Sequence, residues 1–200
     1  MLKVGITGGI GVGKTVVARM FELLGIPVYD SDGRAKWVMV NDAVLKAELI
    51  AAFGPEAYTE SGELNRTYIG SVVFNNPERL QQLNSLVHPH VKNDFTNWLS
   101  GHKHKPYIIK EAALMYESEA WRQIDSMVAV YAPLDVRIRR LLQRDKHRTE
   151  SDIKAIIGKQ LSEEEKMSRA DYVIFNDDAR MVIPQVLALH DQFLKLAPNY

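Results

Sequence analysis

Residues 8–15 read G-G-I-G-V-G-K-T, a run that satisfies G-x-x-x-x-G-K-[ST] and lies between a short apolar stretch and an amphipathic helical pattern. Glycines let a chain wrap closely around an anion with its N–H groups turned inward, and a following helix adds the positive end of its dipole at the same place. The backbone of Gly9, Ile10, Gly11, Val12, Gly13, Lys14, Thr15 and Val16 is therefore expected to hold the phosphates of a nucleoside triphosphate. Lys14 would reach the β- and γ-phosphates, and the Thr15 hydroxyl would ligate the Mg²⁺ that screens them. A glycine-rich turn with an incidental lysine is the plain alternative, and the strand-loop-helix context argues against it.

A second cluster is Tyr29-Asp30-Ser31-Asp32, at the end of what reads as the second strand. In an open α/β sheet, ligands lie beyond the carboxyl ends of the strands, so these carboxylates stand where an acceptor would bind. In-line phosphoryl transfer needs a group to orient and deprotonate the accepting hydroxyl, a role worth roughly 10² to 10⁴ in rate. Asp32 is the expected base; capping of the next helix by Asp30 or Asp32 is the alternative. Asp30-Ser31-Asp32-Gly33 also fits the D-x-x-G element of GTPases, but it follows the loop too closely for a switch segment, and no N-K-x-D occurs. Further on, Arg137, Arg140 and Arg144 form a stripe beside an apolar face of Leu134, Ile138, Leu141 and Leu142, and Arg148 follows. Such guanidiniums would neutralise charge developing on a transferred phosphoryl group; a solvated surface stripe is the competing reading.

These groups need elements to position them. Short apolar runs at 2–7, 27–29, 107–111, 127–131 and 172–175 predict buried strands separated by helical patterns, hence a parallel sheet covered on both faces. After the loop, Val17, Met20, Phe21 and Leu24 make an apolar helical stripe that Gly25 stops. From 35 to 105 helical patterns follow one another with turns at Phe53-Gly54-Pro55, Glu60-Ser61-Gly62 and Asn75-Asn76-Pro77, which reads as a helical insertion. Thr149-Glu150-Ser151-Asp152 and Ser162-Glu163-Glu164-Glu165 are capping-box patterns for two short helices joined around Gly158, a segment able to close as a lid. The glutamates at 163–165 read as favouring a helix N-terminus and not as a metal site. The expected division is a core of 1–34, 106–139 and 169–200, an insertion of 35–105 and a lid of 140–168. Trp37, Trp98 and Trp121 sit in helical patterns and are expected in the core.

Composition bounds the function. The 200 residues are 46% hydrophobic and 25% charged, as for one compact domain with an inserted subregion. Lys+Arg and Asp+Glu are 25 each, so no global field favours nucleic acid or a membrane surface. There is no Cys and no long apolar segment, and Met1 leads straight into the first strand, so disulfides, membrane spans and secretion lack support. A cytoplasmic enzyme acting as a monomer is the expectation. His88-Pro89-His90 and His102-Lys103-His104 lack the cysteines or spaced carboxylates of a zinc set.

The chain resembles the dephospho-CoA kinases, P-loop enzymes that phosphorylate the ribose 3'-hydroxyl of dephospho-coenzyme A with ATP. The resemblance runs nearly end to end. It rests on Ile6 to Thr15 and on Leu24-Gly25-Ile26-Pro27-Val28-Tyr29-Asp30-Ser31-Asp32, similar to the family's T-G-G-I-G-S-G-K and L-G-x-x-v-x-D-A-D signatures. Gly62-Glu63-Leu64-Asn65-Arg66, Val73-Phe74 and Leu86-Val87-His88-Pro89 resemble its G-x-L-x-R, V-F and H-P elements. Gln143-Arg144-Asp145, Gln160, Ala170-Asp171 and Ile174-Phe175-Asn176 complete the pattern. The resemblance implies an α/β three-layer P-loop kinase fold with a five-stranded parallel sheet, a helical insertion that binds the CoA-side acceptor, and a lid. It implies ATP with Mg²⁺ and dephospho-CoA as ligands, Asp32 as base, and Arg140 and Arg144 as lid arginines. Asn176 would lie near the adenine, and Arg66 and the turn at 86–89, with His88, on the acceptor side. Two departures stand out: Ala113 replaces the family's common Pro, and Val12 replaces Ser at a position that works through its backbone N–H. Glu111 and Glu117 would either position Mg²⁺-bound water or merely end a strand and cap a helix. Another P-loop small-molecule kinase, and a nucleotide-dependent switch ATPase, are the remaining readings.

Overall fold

The structure, a computed structural model, describes residues 1–74 and 76–197. The chain begins β1 (Leu2–Thr7), α1 (Lys14–Leu23), β2 (Val28–Asp30), α2 (Ser31–Asn41), α3 (Ala43–Phe53), α4 (Arg66–Phe74) and α5 (Pro77–Ser100). It continues β3 (Tyr107–Glu111), β4 (Ser126–Tyr131), α6 (Leu134–Arg144), α7 (Glu150–Ile157), α8 (Glu163–Arg169), β5 (Tyr172–Phe175) and α9 (Val182–Leu196). It divides into two compact units, Met1–Asp30 with the chain from His102 onward, and Ser31–Gly101.

The first unit is built on a five-stranded sheet in the order β2-β3-β1-β4-β5, with every pair parallel. All five expected strands form, each within a residue of its predicted start. The second begins at Val28 because Pro27 has no N–H for the ladder; its carbonyl still accepts from Ile109 N–H at 2.9 Å. Period and burial agree: Val4 and Ile6 of β1, Tyr107 and Ile109 of β3, Val128 and Val130 of β4 and Ile174 of β5 enter one core with Val17 and Phe21 of α1 and Val186 and Phe193 of α9. Phe21, Tyr107 and Phe193 meet there with ring centroids 5.5–6.5 Å apart. Each fully buried side chain of this size contributes about 1.5–3 kcal/mol, so this layer fixes α1, and the loop before it, against the sheet. A smaller cluster of Ala112, Met115, Tyr116 and Met127 joins Leu161 and Ala170, which flank α8.

The end of α1 follows expectation: Gly25, at φ 79°, closes the helix with its N–H on the Glu22 carbonyl at 2.9 Å. Capping also sets α7 and α8. Thr149 and Asp152 form a reciprocal box, and Ser162 Oγ accepts from Glu165 N–H at 3.1 Å.

α6 corrects the sequence reading. Leu134 is 51% and Leu142 38% exposed, while Val136, Arg137 and Leu141 form the buried face. A guanidinium can take an apolar position when its charge is paired and some of its donors are bonded, as the Arg137 Nε and Nη1 are.

The second unit has its own core, in which Val38, Leu45, Leu49, Phe53, Ala57, Tyr58, Ile69 and Val87 are buried. Asp42 caps α3 by accepting from Val44 and Leu45 N–H, and Asn76 caps α5. Of the expected turn Asn75-Asn76-Pro77, Asn75 lies outside the described residues; Asn76 and Pro77 open α5. The expected turn at 86–89 is instead the middle of α5, which runs through Pro89. Proline removes one helical hydrogen bond there, and Leu86, Val87 and Val91, packed into the core on either side, keep the helix together. The tryptophans also depart from expectation. Trp37 is 49% exposed with the Arg34 guanidinium 4.2 Å above it, and Trp121 lies in a 3₁₀ turn between Arg122 and Arg169. A cation on the ring face lets an indole remain partly exposed. Trp98 is half-buried and stacks on Phe95. Among the described residues no helix is long and apolar enough to cross a membrane.

Candidate active site

β1 lies between β3 and β4, so the glycine loop leaves from the carboxyl end of the middle strand and runs into α1. Gly13, in the left-handed region at φ 92°, turns the chain into the helix, and its carbonyl accepts from Val16 and Val17 N–H at 3.0 and 3.2 Å. A Cβ at this position would overlap Asn176 Nδ2, so both backbone angle and close approach require glycine. α1 starts with no side-chain cap and no acid in its first turn, whereas α3, α5, α7 and α8 are capped by their own side chains. The first N–H groups of a helix have no intrahelical acceptor, so α1 presents unsatisfied donors and a positive dipole end, which suit an anion. Lys14 is buried at the head of α1 with its Nζ 3.4 Å from the Gly9 carbonyl, and the Thr15 and Val16 side chains are exposed.

Asn176, just past β5, donates from Nδ2 to the Val12 carbonyl at 2.8 Å and is held by its own N–H on Tyr131. Its Oδ1 accepts from Arg140 Nη2 at 3.2 Å, and the same nitrogen bonds Asp178 at 2.5 Å. Asn176 and Arg140 are thus joined to the loop by one hydrogen-bonded chain. Arg144 is not: its Nε and Nη2 donate to Asp145, at 2.8 and 3.0 Å, and it makes no bond to the loop among the described residues.

Asp32 is exposed in the first turn of α2, two residues beyond β2. Arg66 is exposed at the start of α4, and His88 is exposed within α5. These three belong to the second unit, and Lys14, Arg140 and Asn176 to the first.

Sequence reasoning missed a set of contacts behind the loop. Arg137, only 4% exposed, donates from Nε to the Ile10 carbonyl at 2.9 Å and places Nη1 3.3 Å from Glu163 Oε1. That carboxylate accepts the Gly9 N–H at 2.9 Å, and Gln160 Oε1 accepts the Ile10 N–H, also at 2.9 Å. Burial lowers the Arg137 pKa from its ordinary value, while the Glu163 charge raises it. The sequence pattern groups Arg137 with Arg140 and Arg144 in a stripe facing the transferred phosphoryl group, and Glu163 with a helix start; the separation of the two residues in sequence hides their pairing. Glu117, left open above, accepts Leu161 N–H at 2.9 Å and pairs with Lys166 at 3.5 Å. It ties down the approach to α8. Glu111 ends β3, opposite Ile6 and Asp30 in the ladder.

Known proteins resemble this chain along nearly its whole length. The family model for dephospho-CoA kinase matches residues 2–181. A dephospho-CoA kinase of Bacteroides fragilis is 42% identical, over 94% of this chain and 91% of that protein. A crystal structure from Thermus thermophilus superposes with a TM-score of 0.83 at 31% identity, covering 99% of this chain and 98% of that one. The fold is also that of the dephospho-CoA kinase of Campylobacter jejuni, with a TM-score of 0.71 at 22% identity over 96% and 97% of the two chains. This chain belongs to the dephospho-CoA kinase family.

Proposed function

We infer that this protein transfers the γ-phosphoryl group of ATP to the ribose 3'-hydroxyl of dephospho-CoA, giving CoA and ADP. The observation that carries the reading is the loop: an uncapped helix start, a glycine at φ 92° and a buried lysine, in a chain of this family. The N–H groups of the loop and Lys14 bind and orient the phosphates, with Gly9 through Val16 as the cradle and Asn176 on the adenine side. Thr15 is an exposed residue at the head of α1 whose hydroxyl is a hard oxygen donor, which fits Mg²⁺. When bound there, Mg²⁺ supplies charge neutralisation on the phosphates.

Asp32 accepts the 3'-hydroxyl proton as the new O–P bond forms and the bond from the γ-phosphorus to the β–γ bridging oxygen breaks. Arg140 counters charge on the transferred group; Arg144 joins it only by leaving Asp145 on closure of the segment at 140–168. Arg66 and His88 bind the acceptor. The protein works as a cytoplasmic monomer on these small molecules, without nucleic acid or membrane. The test is ADP release from ATP·Mg²⁺ in parallel reactions with dephospho-CoA, AMP, CMP, pantetheine or no acceptor. Stimulation by dephospho-CoA alone, with CoA as product, supports the reading; equal ADP release in every reaction refutes it.

A further inference from the structure

The glycine loop is gripped from behind by a buried ion pair that takes no part in the chemistry proposed above. Glu163 opens α8 and Arg137 lies on α6, yet both meet the peptide groups of Gly9 and Ile10. Each is less than a tenth exposed. The fit is close: a Cβ on Gly9 would overlap both Arg137 Nη2 and Glu163 Oε1. Among the described residues Arg137 Nη2 has no hydrogen-bond partner, so the guanidinium depends for its charge on Glu163 and for its second contact on the Ile10 carbonyl. Gln160, in the turn before α8, fixes the remaining Ile10 N–H.

We propose that Arg137 and Glu163 are positioning residues for phosphoryl transfer: as a buried pair they hold the Gly9 and Ile10 peptides, and so set the shape of the phosphate-binding backbone that follows. A buried ion pair is a poor source of net stability, because desolvation offsets attraction, but its geometry is demanding. Here that geometry is imposed on a loop whose function depends on where its N–H groups point. The pair also joins the loop to α8, so displacement of the segment carrying α7 pulls on Gly9 through Glu163.

The proposal rests on the reading that this loop binds ATP, and the experiment separates the two. Equilibrium binding of a fluorescent ATP analogue with Mg²⁺ is measured beside KM for ATP, KM for dephospho-CoA, kcat and melting temperature. Failure of the wild-type protein to bind the analogue overturns the nucleotide reading. Glu163→Ala is expected to weaken ATP binding by about tenfold or more, with KM for dephospho-CoA within about twofold of wild type. Glu163→Gln, which retains a carbonyl for Gly9 N–H but leaves Arg137 without its counter-charge, recovers part of that ATP affinity while lowering the melting temperature. Arg137→Met/Glu163→Leu removes both charges and so keeps the fold, but leaves the loop unheld. It is expected to melt near the wild-type temperature with ATP affinity still down about tenfold. Wild-type ATP affinity in this folded double variant, or a Gln variant as weak as the Ala variant, overturns the proposal.

Discussion

Replacing Glu117 by alanine would leave a charge stranded. Lys166 is 0% exposed, its Nζ makes no hydrogen bond among the described residues, and the Glu117 carboxylate stands 3.5 Å away. Removing one partner of a buried pair costs about 3–5 kcal/mol, because the remaining ion keeps its desolvation penalty without compensation, and the lower part of that range applies here because Glu117 is itself partly exposed. Loss of the acceptor for Leu161 N–H adds about 1 kcal/mol where water does not replace it. These terms share one carboxylate and do not simply add, so about 4 kcal/mol is expected, a large part of the roughly 5–15 kcal/mol that holds a domain together. For a chain of this size that is a fall in Tm of about 8–16 °C. Urea unfolding followed by circular dichroism measures it. Glu117→Ala/Lys166→Met, which removes the stranded ammonium, should return to within about 1 kcal/mol of wild type. A single variant that loses less than about 1 kcal/mol, or a double variant as unstable as the single, refutes the argument.

Three further outcomes are expected. Asp32→Asn should bind ATP normally and turn over about two or more orders of magnitude more slowly; turnover near wild type removes Asp32 from the base role. Burial lowers the Lys110 ammonium to about 8, so between pH 8 and its ordinary 10.5 the unfolded chain holds more protons and wild-type stability rises with pH. The stability advantage of Lys110→Met over wild type should therefore shrink by about 3 kcal/mol across that window, and a flat difference in urea unfolding contradicts it. His90 lies between Asp42, at 2.7 Å, and Glu48, at 3.2 Å; burial lowers its pKa, but the two carboxylates outweigh this and raise it. Its contribution is complete below about pH 6.5 and lost as pH rises through the raised value, while Asp42, held low first by its bond to His90, keeps its own above about 3.8. His90→Gln should thus cost most stability near pH 5 and little at pH 8, as thermal melts at the two values would show.

The sheet and the loop were legible because their signals are local. A run such as Tyr107–Glu111, buried at every position, cannot be solvated, and G-G-I-G-V-G-K-T carries its turn and its donors within a single segment. Capping was legible for the same reason at Thr149 and Ser162. What escaped depends on distant partners. Arg137 resembles its exposed neighbour Arg144 in sequence, and only Glu163 and Ile10, brought to it by folding, account for its burial. The resemblance implies a turn at 86–89, but packing of Val87 and its neighbours carries α5 through Pro89. Trp37 sits in a helical pattern that points to the core; the guanidinium of Arg34 covers its face instead.

The place of β1 in the sheet bears on how the molecule opens. Local openings begin where few bonds hold, and β2 and β5 each have one neighbour in the ladder, whereas β1 has two. Fraying at either edge, or loosening of α7, leaves the root of the phosphate loop paired on both sides. In hydrogen exchange, the amides of Val4 and Ile6 should accordingly fall among the slowest and those of the edge strands well before them. The grip on the nucleotide is strung from the part of the fold that gives way last, so the protein can breathe at its margins without releasing what it holds.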